Sequence, residues 1–308
     1  MYACVCVCAD YVRFHPPQAL AVWQWWNFSL TEVPAGKRVL RLNMDETAVC
    51  LFQGDVRGNL FLAKTDQTTQ NATRGQQRTY LTHVAFVCDD PLIQRHLPQV
   101  VVGNERAIPA EQLAALRANR PPNFILLRRK SSWVDAWLCA WLVRQLATAL
   151  APYMEDVQPI FFFDACKQHL GEAVFNACAT ARIIPIVVPA KTTWLLQPLD
   201  THCFASYKVS LMREYQAARI RSPDGVVGVG ELLSSIYVAT RVVLEGRDWS
   251  KAFARDGYGA SQGNVSSRVL CQLGLEAPSH GAIHEAHRRA TEALLSAEGA
   301  RPCRCHLA

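Results

Sequence analysis

The stretch RVLRLNMDETAVCLF, residues 38–52, joins an apolar run to two consecutive acids, Asp45 and Glu46. The apolar residues before Asp45 predict a buried β-strand over 38–44 that ends at this carboxylate. Moving a carboxylate out of water is costly unless a partner compensates its charge. The position therefore indicates a site, and a divalent cation is one partner that compensates such a charge. Glu46 is expected to point to the opposite face of the strand and to act as a structural hydrogen-bond partner.

Two further acids stand at comparable positions. Asp164 ends the apolar run QPIFFF, and Asp200 ends TTWLLQPL. Sites form at the carboxyl ends of parallel strands, so Asp45 and Asp164 are expected close together if their strands are neighbours, with Asp200 entering from the next helix. Three such carboxylates can hold two divalent ions about 3.5–4 Å apart, which is an arrangement for phosphodiester chemistry. Any one of these acids alone is more often a capping or turn residue.

Apolar runs and helical periodicity predict the order of elements along the chain. The predicted strands are 38–44, 59–64, 81–88, 123–127, 158–166 and 182–189. The predicted helices are 18–28, 131–150, 168–180, 203–219, 230–245, 261–272 and 280–298, and residues 103–123 are interpreted as an insertion or a crossover. This order is typical of a ribonuclease H-like fold. We therefore predict an α/β protein with a mixed sheet flanked by helices and a mostly helical C-terminal extension.

Composition limits the class of protein more than it identifies one. The chain has 308 residues, 50% of them hydrophobic, and a net charge of +6, which suits a folded core and permits an acidic partner such as DNA without requiring one. Its 12 cysteines contain no CxxC pair, so their spacing predicts neither a zinc site nor a redox motif.

Export and membrane insertion are not expected from the sequence. The first residues lack the positive region of a signal peptide, and free thiols in this number favour a reducing compartment. The longest apolar stretch begins at Trp133 and contains Asp135 and Arg144, so we interpret it as a helix of a soluble protein. We predict a nuclear or otherwise intracellular protein with no membrane partner.

The helix predicted over 131–150 carries Trp133, Trp137 and Trp141 at intervals of four. Periodic aromatic residues usually pack in a core, and we prefer this interpretation to stacking on nucleic-acid bases. Ser131 or Ser132 is the expected N-cap.

Three blocks of sequence together resemble the DDE superfamily endonuclease domain of pogo-like transposases. The blocks are NMDET (43–47), DACKQH (164–169) and VPAKTTWLLQPLDTHCFASYK (188–208), in the order that the family has them. The last block is the most specific. The resemblance implies a ribonuclease H-like catalytic domain over 36–210, with a short N-terminal remnant before it, over 1–35, and a helical extension after it, over 211–308. It also implies Mg²⁺ or Mn²⁺ as cofactor, and cleavage and joining of DNA strands.

Carried over by position, the resemblance assigns Asp45, Asp164 and Asp200 as the catalytic, metal-binding acids. His169 matches the histidine after the second acid, where it is expected to orient a ligand or the start of a helix. Thr193 and Gln197 match positions that shape the turn before Asp200. His202 is a candidate for contact with substrate or metal, although a lone histidine is more often a surface residue.

Two departures from the family pattern leave the function open. Ala165 stands where the family usually has asparagine, and only about 35 residues precede the domain, too few for the helix-turn-helix modules of the family. One hypothesis is a metal-dependent endonuclease or strand transferase derived from a transposase. The other is a decayed or domesticated descendant that binds nucleic acid and keeps the fold.

Basic residues indicate where DNA is expected to contact the chain. A cluster of positive charge neutralises phosphates and gives affinity that depends on salt. A solvated surface loop explains the segment 116–130 equally well. DNA is the expected partner, and the choice between monomer and homodimer stays open. The candidates are Arg117, Arg120, Arg128, Arg129 and Lys130 in that segment, with Lys191 and Lys208 on either side of the third acid.

Overall fold

The computed structural model describes residues 16–50, 80–223, 226–259 and 266–273. The strand predicted at 59–64, the helix predicted at 280–298 and the three N-terminal cysteines lie outside the described residues. Most of the predicted 1–35 remnant that is described forms one helix, α1 (Pro16–Thr31).

Six strands form one mixed sheet. In chain order they are β1 (Arg38–Cys50), β2 (Tyr80–Cys88), β3 (Gln99–Asn104), β4 (Phe124–Arg129), β5 (Val157–Asp164) and β6 (Ile184–Val188). Their order across the sheet is β4-β3-β2-β1-β5-β6. Strand β2 is antiparallel to both β1 and β3, whereas β5 is parallel to β1 and to β6. An antiparallel first half followed by parallel strands beside β1 is the ribonuclease H-like arrangement, so the predicted fold class is confirmed.

Helices cover both faces of this sheet. After α1 they are α2 (Pro91–Gln94), α3 (Leu113–Ala118), α4 (Ala136–Leu150), α5 (Glu172–Thr180), α6 (Thr193–Leu196), α7 (Phe204–Arg221), α8 (Val229–Ala239), α9 (Ser250–Arg255) and α10 (Ser267–Leu273). A wide π-helical turn over Leu199–Cys203 leads into α7, and a second one over Thr240–Leu244 extends α8. The described part of the C-terminal extension is therefore helical, as predicted.

The first strand is longer than the sequence analysis predicted. Strand β1 continues past Asp45 to Cys50, because residues 42–50 pair with β2, whereas the ladder with β5 stops at Asn43. The expectation that a strand ends at Asp45 is therefore wrong. What ends near Asp45 is the parallel pairing, which opens the sheet beside this residue.

The strand β3 was not predicted. It is a six-residue buried run that pairs in parallel with β4, so the segment between them is a crossover, which settles the alternative left open for 103–123. Gly103 lies in this strand because a Cβ there would clash with the side chains of Ile108 and Leu81. A glycine next to an apolar run usually indicates a turn, and for this reason the sequence analysis did not predict the strand.

The helix α4 begins five residues later than the predicted start. Asp135 caps it by accepting a hydrogen bond from the Leu138 N–H at 2.8 Å, so neither Ser131 nor Ser132 is the N-cap. Its buried face contains Leu138, Leu142 and Leu146.

The tryptophan stripe is mostly not in the core. Trp133 and Trp137 are 77% and 65% exposed, and only Trp141 packs against the cluster beneath α4. Core packing is therefore the wrong interpretation for the first two. Trp133 precedes the first residue of α4, and Trp137 lies beside the apolar face of the helix, which contains Leu138 and Leu142.

The strand β1 separates two cores. Leu40, Leu42 and Met44 belong to the cluster under α4 and α5. The intervening residues Arg41, Asn43 and Asp45 face the other side, where α1, α6 and α7 pack. The site is built on this second face.

None of the helices in the described part of the chain is long and apolar enough to span a bilayer.

Candidate active site

Two of the three acids come from neighbouring parallel strands. Asn43 and Phe162 are the last pair of the β1–β5 ladder, so Asp45 and Asp164 each follow two residues beyond this pair. Side chains two residues apart on a strand share a face, which places both carboxylates on the side covered by α6 and α7.

The third acid, Asp200, lies in the π-helical turn Leu199–Cys203 at the start of α7. Leu195, Leu196 and Leu199 are buried around it and anchor the segment in the same core as β5 and β6. Asp200 itself is exposed at the end of this apolar anchor.

Asn43 connects the turn to the sheet. It is fully buried, its side-chain amide donates to the Phe162 carbonyl at 3.0 Å, and its side-chain oxygen accepts the Leu199 N–H at 2.8 Å. One side chain on β1 thus bonds both β5 and the residue before Asp200. The sequence analysis assigned no role to Asn43. The signal available was a polar residue inside an apolar strand, two positions before Asp45 and therefore on the same face.

The charges of Asp200 and Asp164 both act on Asp45, although the carboxylate oxygens of these three described residues do not all lie within 4.8 Å of one another. Burial raises the pKa of Asp45 well above its ordinary range, and the charges of Asp200, Glu46 and Asp164 raise it further. A hydrogen bond from the Glu46 N–H at 2.8 Å works in the opposite direction. Negative groups have been brought together here at a cost in free energy, which is the electrostatic pattern of a functional site.

A buried histidine compensates part of this charge. His169 is 1% exposed; its Nδ1 contacts Asp164 Oδ1 and its Nε2 lies 3.0 Å from Glu46 Oε1. Burial works against a charged imidazole, but hydrogen bonds with Asp164, Cys139, Cys166 and Glu46 raise the pKa of His169. The imidazole is therefore a cation clamped between two carboxylates.

The same clamp acts on Asp164. Burial opposes its ionisation, yet the hydrogen bond and charge of His169 outweigh burial and hold the pKa of Asp164 below its ordinary range. Asp164 is thus ionised and fixed in orientation. The Glu46 carboxylate contacts the other ring nitrogen of His169, in agreement with the structural hydrogen-bonding role expected for Glu46.

Ala165 follows Asp164 with its N–H donating to the Val188 carbonyl at 2.8 Å. This bond extends the β5–β6 pairing by one residue and fixes the backbone after the second acid. A methyl group stands here where the family pattern has an amide.

The remaining predicted positions around Asp200 are structural in their contacts. Thr193 begins α6, and its carbonyl accepts the Gln197 N–H at 3.0 Å. Gln197 is fully buried, and its side-chain amide has no hydrogen-bond partner within the described residues. His202 contacts Asp256, with 3.0 Å between Nε2 and Oδ1.

Four of the predicted DNA-contacting arginines make contacts within the protein. Arg117 and Arg120 donate to the carbonyls of Leu126 and Phe124 in β4. Arg128 donates to the Ile108 carbonyl at 2.9 Å, and Arg129 pairs with Asp135 at 2.6 Å.

The lysines differ from these arginines. Lys130 and Lys191 are exposed, and Lys191 has a positive φ of 67° at the turn before α6. The ammonium of Lys208 lies 5.6 Å from the centre of the Phe204 ring in the first turn of α7. Exposed ammonium groups are more available to an anion than guanidinium groups already bonded to carbonyls.

Comparison with known proteins identifies the family. The model described as DDE superfamily endonuclease matches residues 81–243, more than half of the chain, and this range contains Asp164 and Asp200. It begins after Asp45. A search of curated proteins returns no match.

Solved structures with some similarity include two of the Mos1 transposase. The paired-end complex of Mos1 with its left transposon end has 14% sequence identity and a TM-score of 0.40. That match covers 82% of this chain and 66% of the Mos1 chain, slightly less than two thirds. The catalytic domain of Mos1 mariner transposase has 13% identity and a TM-score of 0.37, and the match covers 82% of this chain and 98% of that domain. From the family match and its extent, the chain belongs to the DDE superfamily endonuclease family.

Proposed function

We propose that the chain is a metal-dependent DNA endonuclease and strand transferase of the transposase type, with Asp45, Asp164 and Asp200 as its metal ligands. The observation that carries the proposal is geometric: Asn43, two residues before Asp45, bonds both Phe162, two residues before Asp164, and Leu199, directly before Asp200. Family membership supports the same reaction class.

The chemistry of the donor set suits a hard divalent cation. The groups that act most on Asp45, apart from burial, are carboxylates, so the site presents oxygen ligands and an excess of negative charge. Mg²⁺ and Mn²⁺ prefer such ligands. When bound, these ions activate the attacking oxygen and stabilise the leaving oxygen of a phosphodiester.

The residues of the chain supply orientation and charge balance. His169 holds Asp164 ionised and fixed in orientation, and its contact with Glu46 fixes its own ring. Asn43 fixes the distance between the sheet and the Asp200 turn. Ligands held by outer partners in this way keep their geometry through the reaction.

DNA is the proposed substrate, and exposed side chains on one side of the site suit it. Ala136, at the start of α4, would lie 3.3 Å from a Cβ placed on Gly171, in the loop after Asp164. Trp133 and Trp137 lie on either side of Ala136 in the sequence with their rings exposed, and Lys130 precedes them. Stacking on bases, with phosphate contact by a lysine, is the usual way in which such groups bind an unpaired strand.

The experiment is metal-dependent nicking of supercoiled DNA by the wild type and by Asp164→Asn, with Mn²⁺ or Mg²⁺ and with chelator. Mutation of a residue that supports a metal ligand typically lowers activity roughly 10–100-fold. Because Asp164 is itself a proposed ligand, we expect the nicking rate of the variant to fall by at least this factor. Asp156→Asn is the matched control, because Asp156 is an exposed acid just before the other end of β5. Equal nicking by Asp164→Asn and the wild type contradicts the catalytic assignment.

A metal-binding readout accompanies the nicking assay. A ligand that binds only the folded state stabilises it by about 2.7 kcal/mol at 100 times its Kd. Mn²⁺ should therefore raise the unfolding midpoint of the wild type and of Asp156→Asn, and leave that of Asp164→Asn nearly unchanged.

The second candidate function is DNA binding without turnover. The observation that favours it is Ala165, whose methyl group replaces an amide beside Asp164. The same assay separates the two functions, since a non-catalytic descendant binds DNA in a mobility-shift experiment and does not nick it with either metal.

A further inference from the structure

We propose that Asp256 is a positioning residue that fixes the turn carrying Asp200. Asp256 follows α9 in the C-terminal extension, where sequence analysis assigned no functional residue, and it is 1% exposed. The inference rests on the proposed function, because its consequence is the placement of the third metal ligand.

Two side chains of the Asp200 turn converge on this carboxylate. Thr201 Oγ1 donates to Asp256 Oδ2 at 2.6 Å, and His202 Nε2 lies 3.0 Å from Asp256 Oδ1. They are the two residues directly after Asp200. Two contacts to one buried group fix both the position and the rotation of the turn, whereas a single contact would leave it free to pivot.

A third contact compensates the buried charge. The Arg268 guanidinium, in α10, donates to Asp256 Oδ1 at 2.8 Å and to the Leu195 carbonyl at 3.0 Å. A carboxylate without solvent is costly unless paired and hydrogen-bonded, and Asp256 meets both conditions. Arg268 also joins α10 directly to α6, before the turn.

A neighbouring residue adds a second connection to the same segment. Tyr258 is fully buried, and its hydroxyl donates to the Leu196 carbonyl at 2.7 Å. Its own carbonyl accepts a hydrogen bond from Arg41 on β1. The segment after α9 therefore bridges the sheet and the residues just before the turn.

The geometry of the turn explains why it needs this support. Leu199–Cys203 is π-helical, a form that is rare, less regular than an α-helix and frequent at functional sites. The contacts with Asp256 hold the bulge in the register that presents Asp200 beside β1 and β5. Loss of Asp256 should therefore weaken metal binding even though Asp256 touches neither metal nor DNA.

The test compares Asp256→Asn with the control Asp248→Asn, whose acid is exposed and lies just before α9. Asparagine keeps the shape and the hydrogen bond from Thr201 but loses the charge that faces Arg268 and His202. Mn²⁺ affinity is measured by titration followed by electron paramagnetic resonance. We expect Asp256→Asn to bind Mn²⁺ roughly 10-fold more weakly, in the range for outer partners of metal ligands. Asp248→Asn should bind like the wild type.

Two further readouts separate positioning from general stability. Nicking by Asp256→Asn should recover at high Mn²⁺ at a temperature well below the unfolding midpoint of the variant. At that temperature the variant is folded at every Mn²⁺ concentration, so the recovery reports metal binding and not refolding. Hydrogen exchange of the amides in Leu199–Cys203 should accelerate, whereas exchange in β5 should not. Thr201→Val, which removes one of the two contacts, should show a smaller shift in the same direction and serves if Asp256→Asn fails to fold.

The outcomes distinguish this inference from the proposed function. Wild-type Mn²⁺ affinity and wild-type exchange of the turn in both variants would overturn the role of Asp256. If the wild type neither binds Mn²⁺ nor nicks DNA, the proposed function fails, and faster exchange confined to the turn still supports Asp256 as the residue that positions it.

Discussion

Asn43→Ala tests how the two parts of the site are joined. Asn43 is 0% exposed and bonds the Phe162 carbonyl at 3.0 Å and the Leu199 N–H at 2.8 Å. Alanine removes both hydrogen-bonding groups and leaves a small buried cavity where the carboxamide was. The Phe162 carbonyl and the Leu199 N–H then stay buried without a hydrogen bond.

The magnitude follows from these two groups. An unsatisfied buried polar group costs about 1–3 kcal/mol, so two of them predict a loss of about 2–6 kcal/mol in the free energy of unfolding. Folded domains have a net stability of about 5–15 kcal/mol, so the variant should fold and yet be close to its limit. Because Leu199 precedes Asp200, nicking should fall by more than the folded fraction does.

Urea unfolding followed by tryptophan fluorescence measures the change, with Asn176→Ala as control. Asn176 is exposed on α5 and should cost less than about 0.5 kcal/mol. An equally small cost for Asn43→Ala, with normal nicking, would refute the reasoning that this side chain holds the turn to the sheet.

Two further predictions concern the basic segment and a buried histidine. Lys130→Ala should weaken DNA binding and lower the slope of log Kd against log salt by about 1 without changing stability. Arg128→Ala should instead lose about 1 kcal/mol of stability, because its hydrogen bond to the Ile108 carbonyl is removed. An unchanged slope for Lys130→Ala would show that this lysine contacts no phosphate. Burial lowers the pKa of His83 from 6.5 to about 4, so its contribution to stability is complete above pH 6.5 and is lost as pH falls toward 4. Relative to His83→Gln, wild-type stability should drop by about 3 kcal/mol over that interval in urea unfolding at each pH, with the exposed His96→Gln as control; parallel pH curves for wild type and His83→Gln would contradict it.

Much of the architecture follows from sequence, because periodicity reports burial directly. The continuous apolar run before Asp164 predicted the bounds of β5 to within two residues. A strand that is covered on both faces is apolar along its length, so its ends are marked clearly in the sequence. The end of β1 could not be obtained in this way. Its last residues pair with β2, and pairing between distant segments leaves no local mark beyond alternation.

The tryptophans show a related limit. Spacing of four established that Trp133, Trp137 and Trp141 belong near a helix, but not where the helix begins or which face is buried. The Asp135 cap and the packing of Leu138 and Leu142 decided both.

The sequence by itself determined the fold class, the three acids worth testing and the family they resemble, because those depend on residue type and order. The tertiary structure decided which groups hold the acids in place: Asn43 beneath the turn, His169 between Asp164 and Glu46, and Asp256 from the C-terminal extension. Hydrogen bonds that join elements more than 50 residues apart, as between Thr201 and Asp256, are set by the packing of whole helices on the sheet. No local pattern encodes that packing, and for this reason the sequence indicated the candidate ligands of the site but not the residues that support them.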